Sequence, residues 1–576
     1  MPPKHRKVPF SGKKKKQQLQ QKNARKQEKA ANMDPSSFDY LGKTKPLKAN
    51  LLDHFVQGTE GVLKNSSDLD TKTKLVSVFD KLTPQAIEQE KLASMQPLNR
   101  LPKESLELKE SDLNEYIEFP KRPFWDYDMS KEEVEQHETE SFQNWLKDVQ
   151  EKYAGKQISW FERNLEVWRQ LWRVLEISDV ILIVMDIRNP LLHFPISLYN
   201  FITYEKKKSI VGVFNKVDLV SEFTVFAWKK YFEETFPNLH IATFSCFPRD
   251  KNLIDDTVTY ALKNQAKRPR KRYYHAQGVK NILSVCRDVL DKPDVPVNWD
   301  SIISRYDEDS EHDEEEEEDS DDSDTESING LDDEFSGILK VTSRAVHPHK
   351  DYITLGLVGH PNVGKSSLIN SIMRKTVVSA SRTPGHTKHF QTIYIADNVR
   401  LCDSPGLVFP ALIPRALQII SGMYPIAQVQ EPYSAIRYLA ERIPLEKILS
   451  LTPPDFSRDY QWSAWTICEG KSIVTEKGRI FMEKSLAFAE QRGFHTAKAA
   501  QPDVYRAANA ILRLTADGRI LLSFKPPGFF TSSKYEILRV TEADSNRDNS
   551  DDEDKKEERP MVITGGGFSA LASDSE

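Results

Sequence analysis

A GxxxxGK[ST] motif at residues 359–366 most constrains what this chain can fold into. It lies between an apolar run, YITLGLV, and a helix-like run, SLINSIM, so the sequence predicts a strand, a loop and a helix in succession. In that arrangement the N–H groups of the loop and of the helix N-terminus surround phosphate groups. We expect Lys365 to reach the β- and γ-phosphates and the Ser366 hydroxyl to bind Mg²⁺. The predicted phosphate-contacting residues are Gly359, Asn362, Val363, Gly364, Lys365, Ser366 and Ser367.

A second motif, DSPG at residues 403–406, follows the strand-like run VRLC. Asp403 would lie at a strand end and hold Mg²⁺ through water, and the Gly406 N–H could meet the γ-phosphate. A DxxG sequence alone is most often a turn, but its position after the phosphate loop favours the functional interpretation. Leu407 stands where Ras-like enzymes carry a Gln that orients the attacking water. The sequence therefore predicts slow intrinsic hydrolysis that awaits a partner or an ion.

The third motif, NKVD at residues 215–218, predicts which base is bound. The Asp218 carboxylate would accept hydrogen bonds from guanine N1–H and the exocyclic amine, while the Lys216 stem packs on the purine face and Asn215 completes the motif. Adenine offers no such pair of donors, and an unpaired buried carboxylate would reject it. Ser245 and Cys246 follow the run IATF and are expected in the base-contacting loop, although Cys246-Phe247 replaces the usual Ala-Lys.

The order of these motifs is unusual, because NKVD precedes the phosphate loop and DSPG follows it. The runs VILIVMD, IVGVFN and IATFS are separated by helix-length segments, a pattern that predicts a parallel sheet with crossover helices. The same sheet would resume at YITLGLV. Because domain termini often lie close together, a sheet can be cut in one loop and rejoined at another. The sequence therefore predicts a circularly permuted domain.

Five segments carry a family resemblance: DIRNP, NKVD, GHPNVGKSS, SRTPGHTKHFQT and CDSPGLVFP. Together they resemble the circularly permuted MMR/HSR-type GTPases, whose members include nucleostemin and the large-subunit assembly GTPases, over about residues 158–535. The resemblance implies that Thr387 completes Mg²⁺ coordination when the γ-phosphate is present. It also implies that Asn362 is a candidate K⁺ ligand, and the alternative is that Asn362 only shapes the loop. The predicted catalytic residues are Lys365, Thr387, Asp403 and Gly406, and the predicted Mg²⁺ ligands are Ser366, Thr387 and Asp403.

Charge is strongly segregated along the chain, although the net charge is only −6. Residues 1–30 hold eleven Lys and Arg against one Glu, whereas residues 307–334 hold eighteen Asp and Glu and neither Lys nor Arg. A basic arm suggests a polyanion partner, and its clusters of Lys and Arg are also typical of a nuclear localisation signal. We expect ribosomal RNA or a pre-ribosomal particle to bind the arm and the C-terminal domain, with a nuclear import receptor as a further partner. The acidic run is either a solvated linker or a mimic of RNA.

Membrane, secreted and disulfide-stabilised classes are not expected. The longest apolar run, residues 180–185, is far short of the roughly 20 residues of a membrane span, and the basic start of the chain lacks an apolar segment. The four cysteines lie far apart without a CxxC pair, which argues against a zinc ribbon and for a reducing compartment.

The predicted fold is α/β: a circularly permuted P-loop GTPase domain, with a parallel-sheet core and helices on both faces, followed by a C-terminal helical domain. The predicted divisions are a basic disordered arm at 1–50, a mixed segment at 51–157, the G domain at 158–410 with an acidic disordered insert at 291–337, the helical domain at 411–541 and an acidic disordered tail at 542–576.

The predicted function is Mg²⁺-dependent GTP binding and slow hydrolysis to GDP in ribosome assembly, in the nucleus or nucleolus, with shuttling to the cytoplasm or cytosolic residence as alternatives. The rival is a GTP-regulated RNA-binding scaffold with negligible hydrolysis.

Overall fold

The computed structural model describes residues 79, 82–109, 115–247, 276–290, 295–306, 352–379, 387, 390–451, 460–469, 488–496 and 501–539. The chain divides into two units, 1–74 and 75–576, and every described residue belongs to the second. The predicted basic arm, the acidic run at 307–334 and the acidic tail lie outside the described residues.

The described residues form one six-stranded sheet. Its strands are β1 (Val180–Asp186), β2 (Ser209–Asn215), β3 (Leu239–Phe244), β4 (Ile353–Val358), β5 (Gln391–Ala396) and β6 (Val399–Asp403). The strand order is β3-β2-β1-β4-β6-β5, and all neighbouring pairs are parallel except β5 with β6. All seven residues of β1 are buried, as expected for a central strand covered on both faces. The predicted, mostly parallel sheet is confirmed.

The strand order also confirms the permutation. Strand β4, which precedes the phosphate loop, pairs with β1 on one side and with β6 on the other, although β1, β2 and β3 come earlier in the chain. Parallel strands end at the same edge of a sheet, where such folds bind ligands. Asp186, Asn215 and Asp403, the last residues of β1, β2 and β6, therefore lie along that edge with the phosphate loop.

Helices account for most of the remaining described residues. The α-helices are α1 (Pro84–Ser94), α2 (Lys131–Lys152), α3 (Leu165–Ile177), α4 (Ile196–Asn200), α5 (Glu222–Thr235), α6 (Val279–Asp288), α7 (Trp299–Ser304), α8 (Lys365–Ile372), α9 (Arg415–Ile420), α10 (Tyr433–Arg442), α11 (Leu445–Ile448), α12 (Ala464–Glu469), α13 (Phe488–Gln491) and α14 (Val504–Ala516). Short 3-10 turns occur at Lys103–Leu106, Leu191–His193, Val217–Leu219, Ile426–Gln428 and Ser533–Tyr535, and a π-helical turn at Phe201–Glu205. Among the described residues, none of these helices has the length and apolar character of a membrane span.

Alternate residues of the strands enter two hydrophobic cores. Leu182 and Val184 of β1 pack in a core with α6, α7 and α8, whereas Ile183 and Met185 pack in a core with α3 and α5. This alternation follows from the two-residue period of a strand. The prediction of helices on both faces of the sheet is confirmed.

The second of these cores, which holds α3 and α5, continues into both flanking segments. It also contains residues of α10, α12 and α14 and of the preceding segment 51–157, including Phe119. Backbone hydrogen bonds connect these flanks: Leu98 N donates to Trp462 O at 2.9 Å, and Lys525 N donates to Leu106 O at 2.8 Å. The segment before the sheet therefore packs against the C-terminal portion and is hydrogen-bonded to it. The predicted helical C-terminal portion is confirmed, and the boundaries of the divisions stay predictions.

The first part of the predicted disordered insert contains a helix. Residues 295–306, inside the range 291–337 predicted to be disordered, contain helix α7, which Asn298 caps by accepting from Ser301 N at 3.0 Å. Trp299, Ile302 and Ile303 are buried against the sheet. Their burial stabilises this short helix despite the acidic run that follows.

Candidate nucleotide-binding site

The phosphate loop connects β4 to α8 with a backbone that requires glycine at one position. Gly364 has φ +104°, and a Cβ atom there would lie 2.1 Å from Nδ2 of Asn215. Any side chain would therefore both strain the backbone and displace Asn215. Helix α8 begins at Lys365, so its unpaired N–H groups face the loop, as an anion site requires.

Two side chains of the NKVD motif contact the phosphate loop directly. Asn215 Nδ2 donates to Val363 O at 2.6 Å, and Lys216 Nζ donates to Asn362 O at 2.9 Å. These residues are nearly 150 positions apart in the chain. The permuted fold therefore brings the predicted base motif and the predicted phosphate loop into one site.

The predicted base loop contacts the predicted base-reading carboxylate. The Ser245 hydroxyl donates to Asp218 Oδ1, and Ser245 is almost fully buried. Burial raises the pKa of the Asp218 carboxyl, and the hydrogen bond from Ser245 opposes that rise. Cys246 is half-buried, with its Sγ 3.9 Å from the hydroxyl of Ser371 in α8, so its thiol also lies near the phosphate-loop helix.

Lys365 and Asp403 are both buried, and the charge of each favours the charged form of the other. Burial lowers the pKa of Lys365 to about 8, and the nearby Asp403 opposes this shift. Burial likewise raises the pKa of Asp403 to about 6, which the Lys365 charge opposes. Lys365 Nζ donates to the loop carbonyls of Gly359 and His360 at 2.9 and 2.8 Å. The ammonium thus lies over the loop where phosphate oxygens would replace those carbonyls.

The Asp403 carboxylate fits a metal-binding role. It is 1% exposed, and neither of its oxygens accepts a hydrogen bond from the described part of the chain. A buried ionised carboxylate that accepts no hydrogen bond is unfavourable, and a hard cation with its bound water would satisfy it. Ser366, whose side chain is near enough to favour the charged carboxylate, follows Lys365 in the first turn of the same helix. Ser366 and Asp403 would therefore hold Mg²⁺, which would supply charge neutralisation at the β- and γ-phosphates.

Thr387 is the third predicted Mg²⁺ ligand. It is half-buried, and its immediate neighbours on both sides lie outside the described residues. Its role stays a prediction.

The DSPG segment lies on the phosphate loop. Gly406 packs so closely against Pro361 that a Cβ atom would lie 2.8 Å from Pro361 Cα. Leu407 N donates to Gly359 O at 3.3 Å, and the Leu407 side chain is buried at 1% exposure. A buried apolar side chain at this position has no group that could orient water, and slow hydrolysis stays a prediction.

The comparisons with known proteins agree with this geometry. Residues 354–442 match the family described as 50S ribosome-binding GTPase, MMR_HSR1. The chain is 42% identical over 462 residues to guanine nucleotide-binding protein-like 1 of Homo sapiens, an alignment that covers 78% of this chain and 72% of that protein. The chain belongs to the guanine nucleotide-binding protein-like 1 family.

A more distant relative and a solved structure extend the comparison. The chain is 30% identical over 435 residues to large subunit GTPase 1 homolog of Drosophila melanogaster, covering 75% of this chain and 68% of that protein. It is similar to GNP-bound YlqF from T. maritima, at 14% identity and a TM-score of 0.32 over 63% of this chain and 98% of that one. This likeness of shape is weak, so the fold assignment depends on the strand order and on the sequence relatives. Membership of the guanine nucleotide-binding protein-like 1 family makes this chain a GTP-binding protein of the GTPase class.

The structure shows two buried charged residues at the site that the sequence analysis does not predict. Asp186 and Arg188, within the DIRNP segment, lie buried beside Lys216, and no role is predicted for them from the sequence. The available signal is an acidic residue at the end of a fully apolar strand, with an arginine two positions later.

Proposed function

We propose that this protein is a Mg²⁺·GTP-dependent switch that hydrolyses GTP slowly and acts in the assembly of ribosomal particles. The observation that carries the nucleotide part is the 2.6 Å hydrogen bond from Asn215 to Val363, because it joins base motif and phosphate loop in one site. The contact of Ser245 with Asp218 supports guanine as the base, since it orients the carboxylate that must accept from guanine.

Slow hydrolysis follows from the residues beside the γ-phosphate position. The buried Leu407 provides no group to orient water, so a partner or an ion must supply the missing catalytic contribution. K⁺ is our candidate ion, with Asn362 as its ligand. Asn362 lies in the loop with φ +60°, and its Nδ2 donates to Gly422 O at 2.8 Å, an interaction that fixes the orientation of the side chain.

The names of the matching family and of one relative, together with the positive charge of the basic arm, support a ribosomal target. The matching family is described as ribosome-binding, and one relative is named for the large subunit. The basic arm of residues 1–30 would neutralise phosphates of ribosomal RNA or of a pre-ribosomal particle. The same basic clusters would bind a nuclear import receptor, so we place the protein in the nucleus or nucleolus.

The test is GTP turnover by the full chain with K⁺ or Na⁺, each with and without purified pre-ribosomal particles. We expect low basal turnover that rises at least tenfold with particles, and a further rise with K⁺ over Na⁺. Lys365→Ala is the control variant, because it removes the cation over the phosphate loop and should abolish turnover by the chain itself. Turnover that particles leave unchanged would overturn the assembly-GTPase proposal, and equal rates in K⁺ and Na⁺ would overturn the K⁺ proposal.

A GTP-regulated RNA-binding scaffold is the second candidate, and the burial of Leu407 favours it equally. RNA crosslinking in cells combined with the turnover assay separates the two. Nucleotide-dependent RNA crosslinks without stimulated turnover would support the scaffold.

A further inference from the structure

A buried ion pair lies at the end of β1, between the NKVD motif and the last turn of α14. Arg188 Nη2 lies 2.8 Å from Asp186 Oδ2, and Nε donates to Oδ1 at 3.0 Å. Asp186 is 1% exposed and Arg188 is 6% exposed. Burial disfavours the charged carboxylate, but the Arg188 and Lys216 charges outweigh burial and hold the pKa of Asp186 well below its usual value. Asp186 is therefore a fixed negative charge in this site.

Asp186 in turn fixes the lysine of the base motif. Lys216 Nζ lies 2.8 Å from Asp186 Oδ2 and also donates to Asn362 O. The Lys216 backbone adopts a left-handed conformation with φ +63°. A lysine held at its ammonium by two oxygens presents its methylene stem as a rigid surface for a purine.

The other side of the Arg188 guanidinium binds the end of α14. Nη1 donates to Thr515 O at 2.8 Å, and Nη2 lies 3.4 Å from Ala516 O. The last carbonyls of a helix have no partner within the helix, and a cation there is favoured by the helix dipole. Phe524 N donates to Arg188 O at 2.8 Å, so the chain after the helix is attached to the same residue.

The same helix end touches the site at two more points. Gly518 packs against Leu219 of the base-motif turn, where a Cβ atom would lie 2.8 Å from Leu219 Cδ1. Gly422, which accepts from Asn362 of the phosphate loop, lies near Ala516, since a Cβ atom at Gly422 would lie 3.9 Å from Ala516 Cβ. The end of α14 thus adjoins the base motif directly and the phosphate loop through one residue.

We propose that Arg188 is a positioning residue that couples the base-binding Lys216 to the C-terminal end of α14, so that a bound guanine base rigidifies residues 504–518. This inference rests on the proposed guanine-nucleotide binding. A purine against the Lys216 stem would restrict the Lys216–Asp186–Arg188 chain of ion pairs. Arg188 would transmit that restriction to the carbonyls of Thr515 and Ala516.

Two probes separate the base from the phosphates without any substitution. GDP fills the base and phosphate positions, whereas pyrophosphate fills the phosphate positions alone. We expect GDP to slow amide hydrogen exchange in residues 504–518 at least fivefold and pyrophosphate to leave it unchanged, although both protect the phosphate loop. Equal protection of 504–518 by the two probes would overturn the proposal, because the signal would then travel through Asn362 and Gly422.

Arg188→Lys tests the residue itself. It keeps a positive charge beside Asp186, but a single ammonium cannot span both the carboxylate and the two helix carbonyls. We expect the GDP-dependent protection of 504–518 to disappear and GDP affinity to fall roughly tenfold, with pyrophosphate affinity unchanged. Arg513→Gln, on the exposed face of the same helix, is the matched control and should behave as the parent.

The outcomes distinguish this inference from the proposed function. A parent protein that does not bind GDP would overturn the proposed function and, with it, the inference. A parent that binds GDP while Arg188→Lys retains full protection of 504–518 would overturn the inference alone.

Discussion

The Gln418 side chain and the Trp160 backbone exchange two hydrogen bonds. Trp160 N donates to Gln418 Oε1 at 2.9 Å, and Gln418 Nε2 donates to Trp160 O at 2.8 Å. Gln418 lies in α9, which follows the DSPG segment, whereas Trp160 precedes α3, so the residues are 258 positions apart. Next to this contact, Ser159 N donates to Ala411 O at 2.9 Å, and Ala411 N donates to the Ser159 hydroxyl oxygen at 3.0 Å. Hydrogen bonds therefore connect the start of the C-terminal portion to the segment that leads into the G domain.

Removing this contact should destabilise the protein without touching the nucleotide site. Gln418→Ala leaves the buried N–H and C=O of Trp160 without partners, so we expect the free energy of unfolding to fall by roughly 1–3 kcal/mol. Chemical denaturation measures it. Gln136, an exposed residue of α2, provides the control: Gln136→Ala should change stability by less than about 0.5 kcal/mol. Equal effects of the two substitutions would contradict the assignment.

Nucleotide state should alter the same junction. Gly406 lies against the phosphate loop, and only Leu407 to Pro410 separate it from residue 411, so a γ-phosphate that draws Gly406 inward must pull on the segment that leads into α9. We expect hydrogen exchange in residues 412–420 to differ between the GDP-bound and GTP-analogue-bound forms. Identical protection of 412–420 in both states would mean that the C-terminal portion does not respond to the γ-phosphate.

Asp218→Asn should change which base is preferred. The amide presents a donor towards guanine N1–H, so we expect weaker GTP binding and tighter binding of xanthosine triphosphate, each by at least tenfold. Competition binding with the two nucleotides measures the shift. Asp300→Asn, at an exposed carboxylate of α7, should leave the preference unchanged. Unaltered GTP affinity in Asp218→Asn would exclude residues 215–218 as the base site.

Lys365→Ala should separate nucleotide binding from folding. It removes the buried cation over the loop, so the thermal shift produced by GTP should vanish. Since burial lowers the pKa of Lys365 to about 8, the charged lysine is unfavourable in the unliganded fold at neutral pH, and the melting temperature without nucleotide should not fall. A full GTP-dependent shift in this variant would remove the loop from the proposal.

The Mg²⁺-dependent part of nucleotide binding should weaken at acid pH. Because the folded-state pKa of Asp403 is raised to about 6, its neutral form stabilises the unliganded fold at low pH, and that stabilisation is lost as pH rises through 6. Mg²⁺ needs the ionised form, so its contribution to GDP affinity should decrease by up to tenfold per unit below pH 6. Titrations with and without Mg²⁺ between pH 5 and 8 measure this, and Asp403→Asn should show no such pH dependence.

Local patterns predicted the parts of the fold whose signal is continuous in sequence. The strand that ends at Asp186 is predicted by the run of apolar residues before it, and the phosphate loop is predicted by the spacing of its glycines. The contact between Asn215 and Val363 could be expected from the sequence, because the NKVD motif and the phosphate loop would bind two parts of the same nucleotide. The carbonyls that Arg188 binds belong to ordinary helix residues far along the chain, and nothing local marks them. The sequence does not predict helix α7, because acidic residues dominate the composition around Trp299.

The central position of β4 has a consequence for synthesis of the chain. β1, β2 and β3 leave the ribosome first, and until β4 emerges more than 100 residues after β3, the edge of β1 from Val180 to Ile183 has no partner strand. An unpaired apolar edge is a site of aggregation. Closing so long a loop adds little further entropy per added residue, so the segment between β3 and β4 can vary in length at small energetic penalty. The nascent protein therefore carries half a sheet and no phosphate loop, and it acquires its ligand-binding capacity only when the second half closes that edge.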